Sequence, residues 1–213
     1  MTDTHNTSLL DAARTALVIV DLQNDFISAG GAYDRGGAVP AAARALPGRI
    51  LPVARDVKRL GGYVAASQFT LWPDAHGEPM ISPHLKQLRP FLRRGDFVAG
   101  STGHATVPEL EDLVDVAVLK VAYSAFFNTQ LDWVLRRAGI DTLAVCGIVT
   151  NGGVASTARD AHMRDYRVLV LADGCAAGSA AAHDAALADL RTVGEITTCD
   201  AFAARLQASS STD

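Results

Sequence analysis

The sequence predicts an α/β protein, a three-layer α/β/α sandwich around a mostly parallel, six-stranded, Rossmann-like sheet. Short runs rich in β-branched residues alternate with longer helical segments along the chain. The first run, Thr15–Leu22 (TALVIVDL), is apolar up to its Asp, a pattern typical of a strand that is covered on both faces. The chain is 49% hydrophobic and only 6% aromatic, so Ala, Val and Leu supply its core.

The remaining strands follow from the same kind of run. They are predicted at Tyr63–Phe69, Val114–Lys120, Asp141–Ile148 and Arg167–Asp173, with a short last one at the start of Glu195–Leu206. Each is a short run rich in apolar or β-branched residues, and helical patterns separate most of them. Strands connected through helices pair in parallel, which gives the predicted sheet.

Helical spacing of apolar residues marks the segments between the strands. The first helix is predicted within Ala41–Gly62, which ends in the stop signal Gly-Gly. The next, Thr129–Ile140, places Leu131, Val134 and Leu135 on one face. Three more are predicted at Gly152–Tyr166, at Ser179–Val193 and in the second part of Glu195–Leu206.

The length of 213 residues fits one domain, predicted to span residues 1–213, with residues 1–12 and 208–213 flexible. The segment from Thr70 to Pro108 is irregular and rich in proline and glycine. It is too long for a simple connection, so it is predicted to form a lid or the wall of a pocket.

Charge and composition exclude several classes of partner. The net charge is −4 and there is no basic run, which argues against nucleic acid and anionic membranes. No apolar run approaches the roughly 18 residues of a membrane span, and the first ten residues lack the features of a signal peptide. The predicted location is the cytoplasm. Cys146, Cys175 and Cys199 form no CxxC pair and are interpreted as buried, reduced thiols.

Candidate functional residues meet at one edge of the predicted sheet. Asp21 ends the first strand, Lys120 ends the third, and Gly152-Gly153 follows the fourth. Open α/β sheets bind ligands beyond the carboxyl ends of their strands, so an acid, a base and a glycine turn are expected to converge there. The alternatives are a helix or turn cap for Asp21, a solvated charge for Lys120 and a phosphate-cradling turn at a helix N-terminus for the glycines.

Three segments resemble the isochorismatase-like hydrolase superfamily, which includes nicotinamidases, N-carbamoylsarcosine and ureidoacrylate amidohydrolases and isochorismatases. They are ALVIVDLQNDF (Ala16–Phe26), the segment that begins LKVAYSAFF at Leu119, and GIVTNGGVASTARDA (Gly147–Ala161). The resemblance covers about Thr15 to Ala177 and implies that Asp21 and Lys120 are catalytic. It also implies the superfamily's fold and a homodimer or homotetramer.

One departure from the superfamily pattern bears on mechanism. The superfamily's amidohydrolases carry a nucleophilic Cys where this chain has Gly153, and a covalent thiol route needs that Cys. Several isochorismatases carry Gly at this position and hydrolyse a vinyl ether. The leading expectation is therefore a hydrolase with Asp/Lys acid–base chemistry of the vinyl-ether type. The alternatives are a C–N amidohydrolase that uses activated water and an inactive homologue that binds a small molecule.

The predicted catalytic set is Asp21, Lys120 and Gly153. The side chains of Asp21 and Lys120 are expected within direct or one-water hydrogen-bond reach, and the missing side chain of Gly153 is expected to leave a void with room for a Cys side chain, water or substrate. The N–H groups of Gly152, Gly153 or Val154 are expected to point into this void, and the resemblance implies a cis peptide near Val149–Thr150.

Predicted substrate-binding residues come from the end of the second strand, from aromatic side chains and from the glycine turn: Gln68, Trp72, Tyr123, Phe126, Val149, Thr150, Asn151 and Gly152. Tyr33 and Asp34 are close enough in sequence to reach the mouth of the site. Asp74 and His76 have a D-x-H spacing, but two ligands are too few for a catalytic metal, so no metal and no cofactor are expected, and the partner is a small-molecule substrate.

Overall fold

The computed structural model describes residues 10–210 and contains one six-stranded, all-parallel sheet. Its strands are β1 (Thr15–Val20), β2 (Tyr63–Phe69), β3 (Val116–Lys120), β4 (Thr142–Ile148), β5 (Arg167–Ala176) and β6 (Glu195–Thr197). They lie in the order β3-β2-β1-β4-β5-β6. The predicted fold class is confirmed, and β5 extends three residues beyond its predicted end.

The helices flank the sheet and connect the strands. They are α1 (Asn24–Ile27), α2 (Ala32–Arg35), α3 (Leu46–Arg59), α4 (Pro83–Leu88), α5 (Pro108–Glu111), α6 (Leu131–Arg137), α7 (Ala155–His162), α8 (Ala180–Leu190) and α9 (Cys199–Ser210). The helix predicted within Ala41–Gly62 starts later, with Pro47 in its first turn, and Gly61 follows it at φ 84°. The helix predicted from Gly152 begins as a wider turn, Thr150–Val154, before α7.

The order of the strands creates a crevice between β1 and β4. From β1 the chain proceeds to β2 and β3 on one side, and from β4 it proceeds to β5 and β6 on the other. Right-handed crossovers that run in opposite directions place their helices on opposite faces of the sheet. The connections therefore diverge at the carboxyl ends of β1 and β4, where open α/β sheets bind their ligands.

Close packing between β1 and β4 depends on one glycine. All six residues of β1 are fully buried, as the continuous apolar run predicts. Gly147 in β4 has φ 115°, and a Cβ there would lie 2.1 Å from the carbonyl oxygen of Val20. Only glycine permits this approach. The last residue of β1 is thereby held against β4, one residue before Asp21.

Side chains just after β1 anchor the long irregular segment. Gln23 accepts a hydrogen bond from the backbone N–H of Phe69 at 2.7 Å and donates to the carbonyls of Phe69 and His104 at 3.1 and 2.8 Å. Asp25 accepts from the N–H of Phe97 at 2.7 Å. These buried contacts attach the segment from Thr70 to Pro108, at Phe97 and His104 in its second half, to the residues that follow β1.

Some residues of the predicted flexible ends are ordered. Leu10 and Ala12 are buried against the core, and α9 continues through residues 208–210. The rest of both predicted segments, residues 1–9 and 211–213, lies outside the described residues. Within the described part of the chain, none of the helices has the length and apolar character needed to cross a bilayer.

Candidate active site

Asp21 lies at the crevice between β1 and β4 in an uncommon backbone conformation. Its φ is 56°, in the left-handed region that side-chain-bearing residues rarely adopt. The N–H of Asp21 still bonds the carbonyl of Ser67 on β2 at 3.2 Å, and its own carbonyl accepts from the N–H of Gln23 at 2.8 Å. The chain therefore turns sharply at Asp21 without losing its contact to the sheet, which is the kind of outlier that functional sites carry.

The carboxylate of Asp21 forms a buried ion pair with Lys120. The Lys120 Nζ lies 2.7 Å from Asp21 Oδ2, and both side chains are at most 6% exposed. The other carboxylate oxygen, Oδ1, accepts a hydrogen bond from the Ser67 hydroxyl at 2.8 Å. Lys120 also donates to the carbonyl of Ala122 at 2.9 Å. The sequence prediction that Asp21 and Lys120 lie within hydrogen-bond reach is confirmed.

Burial raises the pKa of Asp21 above its ordinary value of 3.8, because removal from water disfavours the charged carboxylate. Lys120 opposes this rise through its positive charge and its hydrogen bond, and the hydroxyl of Ser67 opposes it further. A carboxyl group whose pKa is raised while it lines a cavity is suited to accept and return a proton.

Gly153 faces the same carboxylate. A Cβ built on Gly153 would lie 3.3 Å from Asp21 Oδ2, 2.9 Å from the carbonyl oxygen of Ile148 and 2.9 Å from a methyl group of Val20. A group at this position would therefore contact Asp21. The sequence-based expectation of free room for a side chain at Gly153 is wrong for this backbone, since both the carbonyl of Ile148 and the methyl group of Val20 would have to move.

Two backbone amides of the glycine turn already donate hydrogen bonds within the turn. The N–H groups of Gly152 and Val154 donate to the carbonyl of Val149 at 2.9 and 3.3 Å. Contrary to expectation, these two groups therefore do not point into the cavity. Of the three amides that the sequence suggested for an oxyanion, Gly153 is the one that does not donate to Val149. The cis peptide expected near Val149–Thr150 occurs one bond earlier, between Ile148 and Val149.

A cavity of about 260 Å³ opens beside these groups. The ion pair and the turn contribute Asp21, Lys120, Ile148, Val149 and Gly153. Aromatic side chains contribute Phe26, Tyr33, Phe69 and Tyr123, and the irregular segment contributes Ser82, His84, Leu85, Leu88, Arg89 and Leu92. Pro40, Val121 and Ala122 complete the lining. The prediction that the segment from Thr70 to Pro108 forms a pocket wall is confirmed for this stretch.

Two of the predicted substrate-binding residues, Tyr123 and Val149, line the cavity. Gln68 does not, because side chains alternate along β2: Ser67 contacts Asp21 and Phe69 lines the cavity, whereas the Gln68 amide points to Thr106 at 3.5 Å. Trp72 is about half exposed and lies outside the lining.

The other predicted contacts face away from the cavity. Phe126 is buried against the Tyr166 ring at a centroid distance of 5.9 Å, as a core residue. The hydroxyl of Thr150 bonds His183 on α8 at 2.8 Å. Asn151 is exposed beside α7 and α8, and Gly152 packs against the ring of Tyr123. The turn thus presents Val149 and Gly153 to the cavity and directs the residues between them elsewhere.

Sequence reasoning missed Ser67, Phe69 and the cavity residues of Ser82–Leu92. The alternation of side chains along β2 could have identified the first two. Ser67 pairs with Val20 on the neighbouring strand, and Val20 directly precedes Asp21. No local signal marks His84, Leu85 or Arg89, since α4 is short and its placement over the sheet depends on the loop around it.

The D-x-H pair forms a turn. The Asp74 carboxylate accepts hydrogen bonds from the backbone N–H groups of His76 and Glu78 at 2.8 and 2.9 Å. Among residues 10–210 no group of three or more His, Cys, Asp or Glu side chains is arranged to hold a metal ion.

All three cysteines are buried away from the cavity lining. Burial raises the pKa of Cys146 and of Cys175, and raises that of Cys199 to about 12, so none offers a thiolate near neutral pH. Cys146 lies inside the sheet, with its Sγ 3.7 Å from the carbonyl oxygen of Val18.

We therefore expect iodoacetamide at pH 8 to leave the native protein unmodified and its activity unchanged within about two-fold, since unreactive buried thiols are protonated. Mass spectrometry of native and denatured samples checks this, and all three thiols should react after denaturation. A folded Cys146→Ala variant without activity would show instead that a thiol takes part in the reaction.

Comparison with known proteins agrees with this geometry. The isochorismatase domain family matches residues 15–201. A ureidoacrylate amidohydrolase from Methylobacterium radiotolerans is 34% identical over 86% of this chain and 75% of its own. The structure of a cysteine hydrolase from Pseudomonas syringae pv. phaseolicola has a TM-score of 0.80 at 26% identity, covering 94% of this chain and 96% of its own. N-carbamoylsarcosine amidase from Thermoplasma acidophilum gives 0.68 at 27% identity over 88% and 97%.

Proposed function

The chain belongs to the isochorismatase family of hydrolases, and from this we propose that it hydrolyses the C–N bond of a small ureido, carbamoyl or amide substrate with water as the nucleophile. One observation carries the proposal: the carboxylate oxygen of Asp21 that binds Lys120 is also the one that lies beside Gly153 in the cavity lining. A water molecule beside Gly153 would contact the base that activates it. The similarity to a ureidoacrylate amidohydrolase and to an N-carbamoylsarcosine amidase supports C–N over vinyl-ether chemistry.

The proposed reaction begins with proton transfer to Asp21. The ionised carboxylate removes a proton from water, whose oxygen attacks the substrate carbonyl carbon, and the carbonyl oxygen becomes an oxyanion. Lys120 has three N–H groups, of which Asp21 and Ala122 use two, so the third can donate to substrate. Together with the Gly153 amide it would stabilise the oxyanion.

Collapse of the tetrahedral intermediate then breaks the C–N bond. Asp21 returns its proton to the departing nitrogen, which leaves as an amine or ammonia, and the carbonyl carbon ends as a carboxylic or carbamic acid, which loses its own proton to the released amine or to solvent. One water is consumed and Asp21 returns to its ionised form. Lys120 keeps its charge throughout and lowers the energetic cost of the buried carboxylate in the resting state.

Vinyl-ether hydrolysis is the second candidate, because Gly153 offers no nucleophile. That reaction starts with protonation of the substrate, so it needs Asp21 in its protonated form. The two chemistries therefore require opposite charge states of the same residue, and the pH dependence of the rate distinguishes them.

For C–N hydrolysis we expect kcat/KM to fall as the pH is lowered through the pKa of Asp21, because the base becomes protonated. Since burial raises that pKa, the acid limb should lie above 3.8, the ordinary Asp value. Ammonia release from β-ureidopropionate, N-carbamoylsarcosine and simple primary amides, measured between pH 4 and 9, checks this. A stability control over the same range excludes unfolding as the cause.

The opposite result would reject the proposal. A rate on vinyl ethers that rises as the pH falls, with no ammonia released from any ureido, carbamoyl or amide substrate, assigns Asp21 the role of general acid. No turnover of either class by folded protein would make the chain an inactive binding homologue.

A further inference from the structure

Arg89 lies in the cavity lining and is held in place by its neighbours. Its Nε donates to the Tyr33 hydroxyl at 3.0 Å, and Nη1 donates to the carbonyl of Leu88 at 2.9 Å. The guanidinium carbon also lies 5.8 Å from the centre of the Tyr33 ring. Tyr33 itself is packed between the rings of Phe26 and Phe91, so the arginine is attached to a rigid aromatic group.

Arg89 has no carboxylate partner among residues 10–210. Three other arginines of this region are paired: Arg35 with Asp96, Arg44 with Asp34 and Arg94 with Glu78. Arg93 has no ion pair among the described residues either, but it lies outside the cavity lining. Inside the cavity Asp21 is already neutralised by Lys120. The lining thus contains one positive charge that no acidic side chain of the described residues balances.

The sequence around Arg89 offers it no acidic partner. Between Pro79 and Gly95 the chain carries four basic residues, Lys86, Arg89, Arg93 and Arg94, and no Asp or Glu. Of these four only Arg89 lines the cavity, and Arg94 is paired with Glu78, so Arg89 is the basic residue of this segment that a ligand in the cavity meets. A cleft lined by one sign of charge attracts ligands of the other sign.

We propose that Arg89, positioned by Tyr33, binds a carboxylate of the substrate while the scissile amide lies at Asp21 and Gly153. The inference rests on the proposed function and specifies its substrate class, amides and ureides that also carry a carboxylate. The planar guanidinium still has N–H groups beyond those used by Tyr33 and Leu88, and it matches the geometry of a carboxylate. Neutral amides of the same size lack the group that Arg89 binds.

Binding calorimetry with two matched pairs of probes tests the inference without requiring turnover. β-Ureidopropionate is compared with propylurea, and succinamate with butanamide, so that each pair differs in its carboxylate. Titrations use the Asp21→Asn/Lys120→Met double variant beside the wild-type protein, which prevents hydrolysis of the probes without leaving Lys120 as a second unbalanced charge in the cavity. Inorganic phosphate is titrated separately, because preferential binding of phosphate would assign the charge to a phosphoryl group.

The Arg89→Gln substitution should weaken binding of both carboxylate probes by about 30-fold, the usual value of a charge-assisted hydrogen bond, and leave the neutral probes within about three-fold. Arg89→Lys should retain part of the affinity. Arg93→Gln is the matched control: it removes the same charge from the same segment, outside the cavity lining, and should change binding by less than about three-fold.

Besides preferential binding of phosphate, three outcomes would overturn the inference. They are a wild-type protein that binds no carboxylate probe more tightly than its neutral partner, equal losses for charged and neutral probes in Arg89→Gln, and equal effects of Arg89→Gln and Arg93→Gln. Failure of the proposed function is a separate result. Carboxylate binding that depends on Arg89, in a wild-type protein that hydrolyses no C–N bond, would reject the reaction and keep the ligand class.

Discussion

Replacing Asp21 by asparagine is expected to lower kcat by about 10²–10⁴-fold, because the amide cannot accept the proton of the attacking water. The side chain keeps its size and can still accept the hydrogen bond from Ser67, so the geometry of the crevice is largely retained. Rates of ammonia release by wild-type and variant protein, at saturating substrate, measure the effect.

The control for Asp21→Asn is a second acid of the same motif. Asp25 is also buried, but it accepts from the backbone N–H groups of Ala32 and Phe97 and does not line the cavity. Asp25→Asn should change stability more than kcat measured on folded protein. If folded Asp21→Asn retains more than about a tenth of the wild-type rate, Asp21 is not the general base and the mechanism proposed here is wrong.

Replacing Lys120 by methionine is expected to destabilise the protein at pH 7 by about 3–5 kcal/mol, because it leaves Asp21 buried without its partner. Methionine is of similar length and is uncharged, so the loss reports chiefly the missing charge. Urea unfolding of the wild type, of both single variants and of the Asp21→Asn/Lys120→Met double variant gives the coupling energy of the pair. The double variant should be more stable than the sum of the single losses predicts.

The loss in Lys120→Met should depend on pH in a defined direction. Burial raises the pKa of Asp21 in the folded protein above its unfolded value, and removal of Lys120 takes away the largest influence that lowers it. A group with a raised folded pKa contributes most to stability below its unfolded pKa, and that contribution is lost as the pH rises. The deficit should therefore shrink as the pH falls from 7 toward 4.

An exposed ion pair provides the comparison for Lys120. Lys58 pairs with Asp115, but its side chain is 37% exposed, and Lys58→Met should cost at most about 1 kcal/mol. A Lys120→Met loss no larger than that of Lys58→Met, or one that does not change with pH, would mean that the buried pair carries no net coupling.

Much of the site could be predicted because it depends on strand ends. Asp21 and Lys120 close two parallel strands, and parallel strands bring their carboxyl ends to one edge whatever the details of packing. Gln68 was misplaced by a single position on β2, where side chains alternate between the two faces. The edge of the sheet at which a residue lies can be predicted from the strand boundaries alone. The face of the sheet to which its side chain points requires the strand register as well.

The burial of the cysteines and the absence of a thiol at Gly153 also follow from the amino-acid order, since both depend on which residue occupies a strand or a turn. The assignment of the turn residues does not. Val149, Thr150, Asn151 and Gly152 are consecutive, yet only Val149 faces the cavity, because the wide turn directs Thr150 to His183 and Gly152 behind Tyr123.

By itself the sequence determined the α/β class, the strands and the pairing of Asp21 with Lys120, because periodicity and strand ends are local properties that a parallel sheet converts into position. Only the tertiary structure decided what surrounds that pair. The hydrogen bonds of Gln23 and Asp25 attach the irregular segment to the sheet, and this brings Arg89 to Tyr33, 56 residues away in the chain. Contacts between such distant side chains follow from packing of the whole core, which no local pattern encodes.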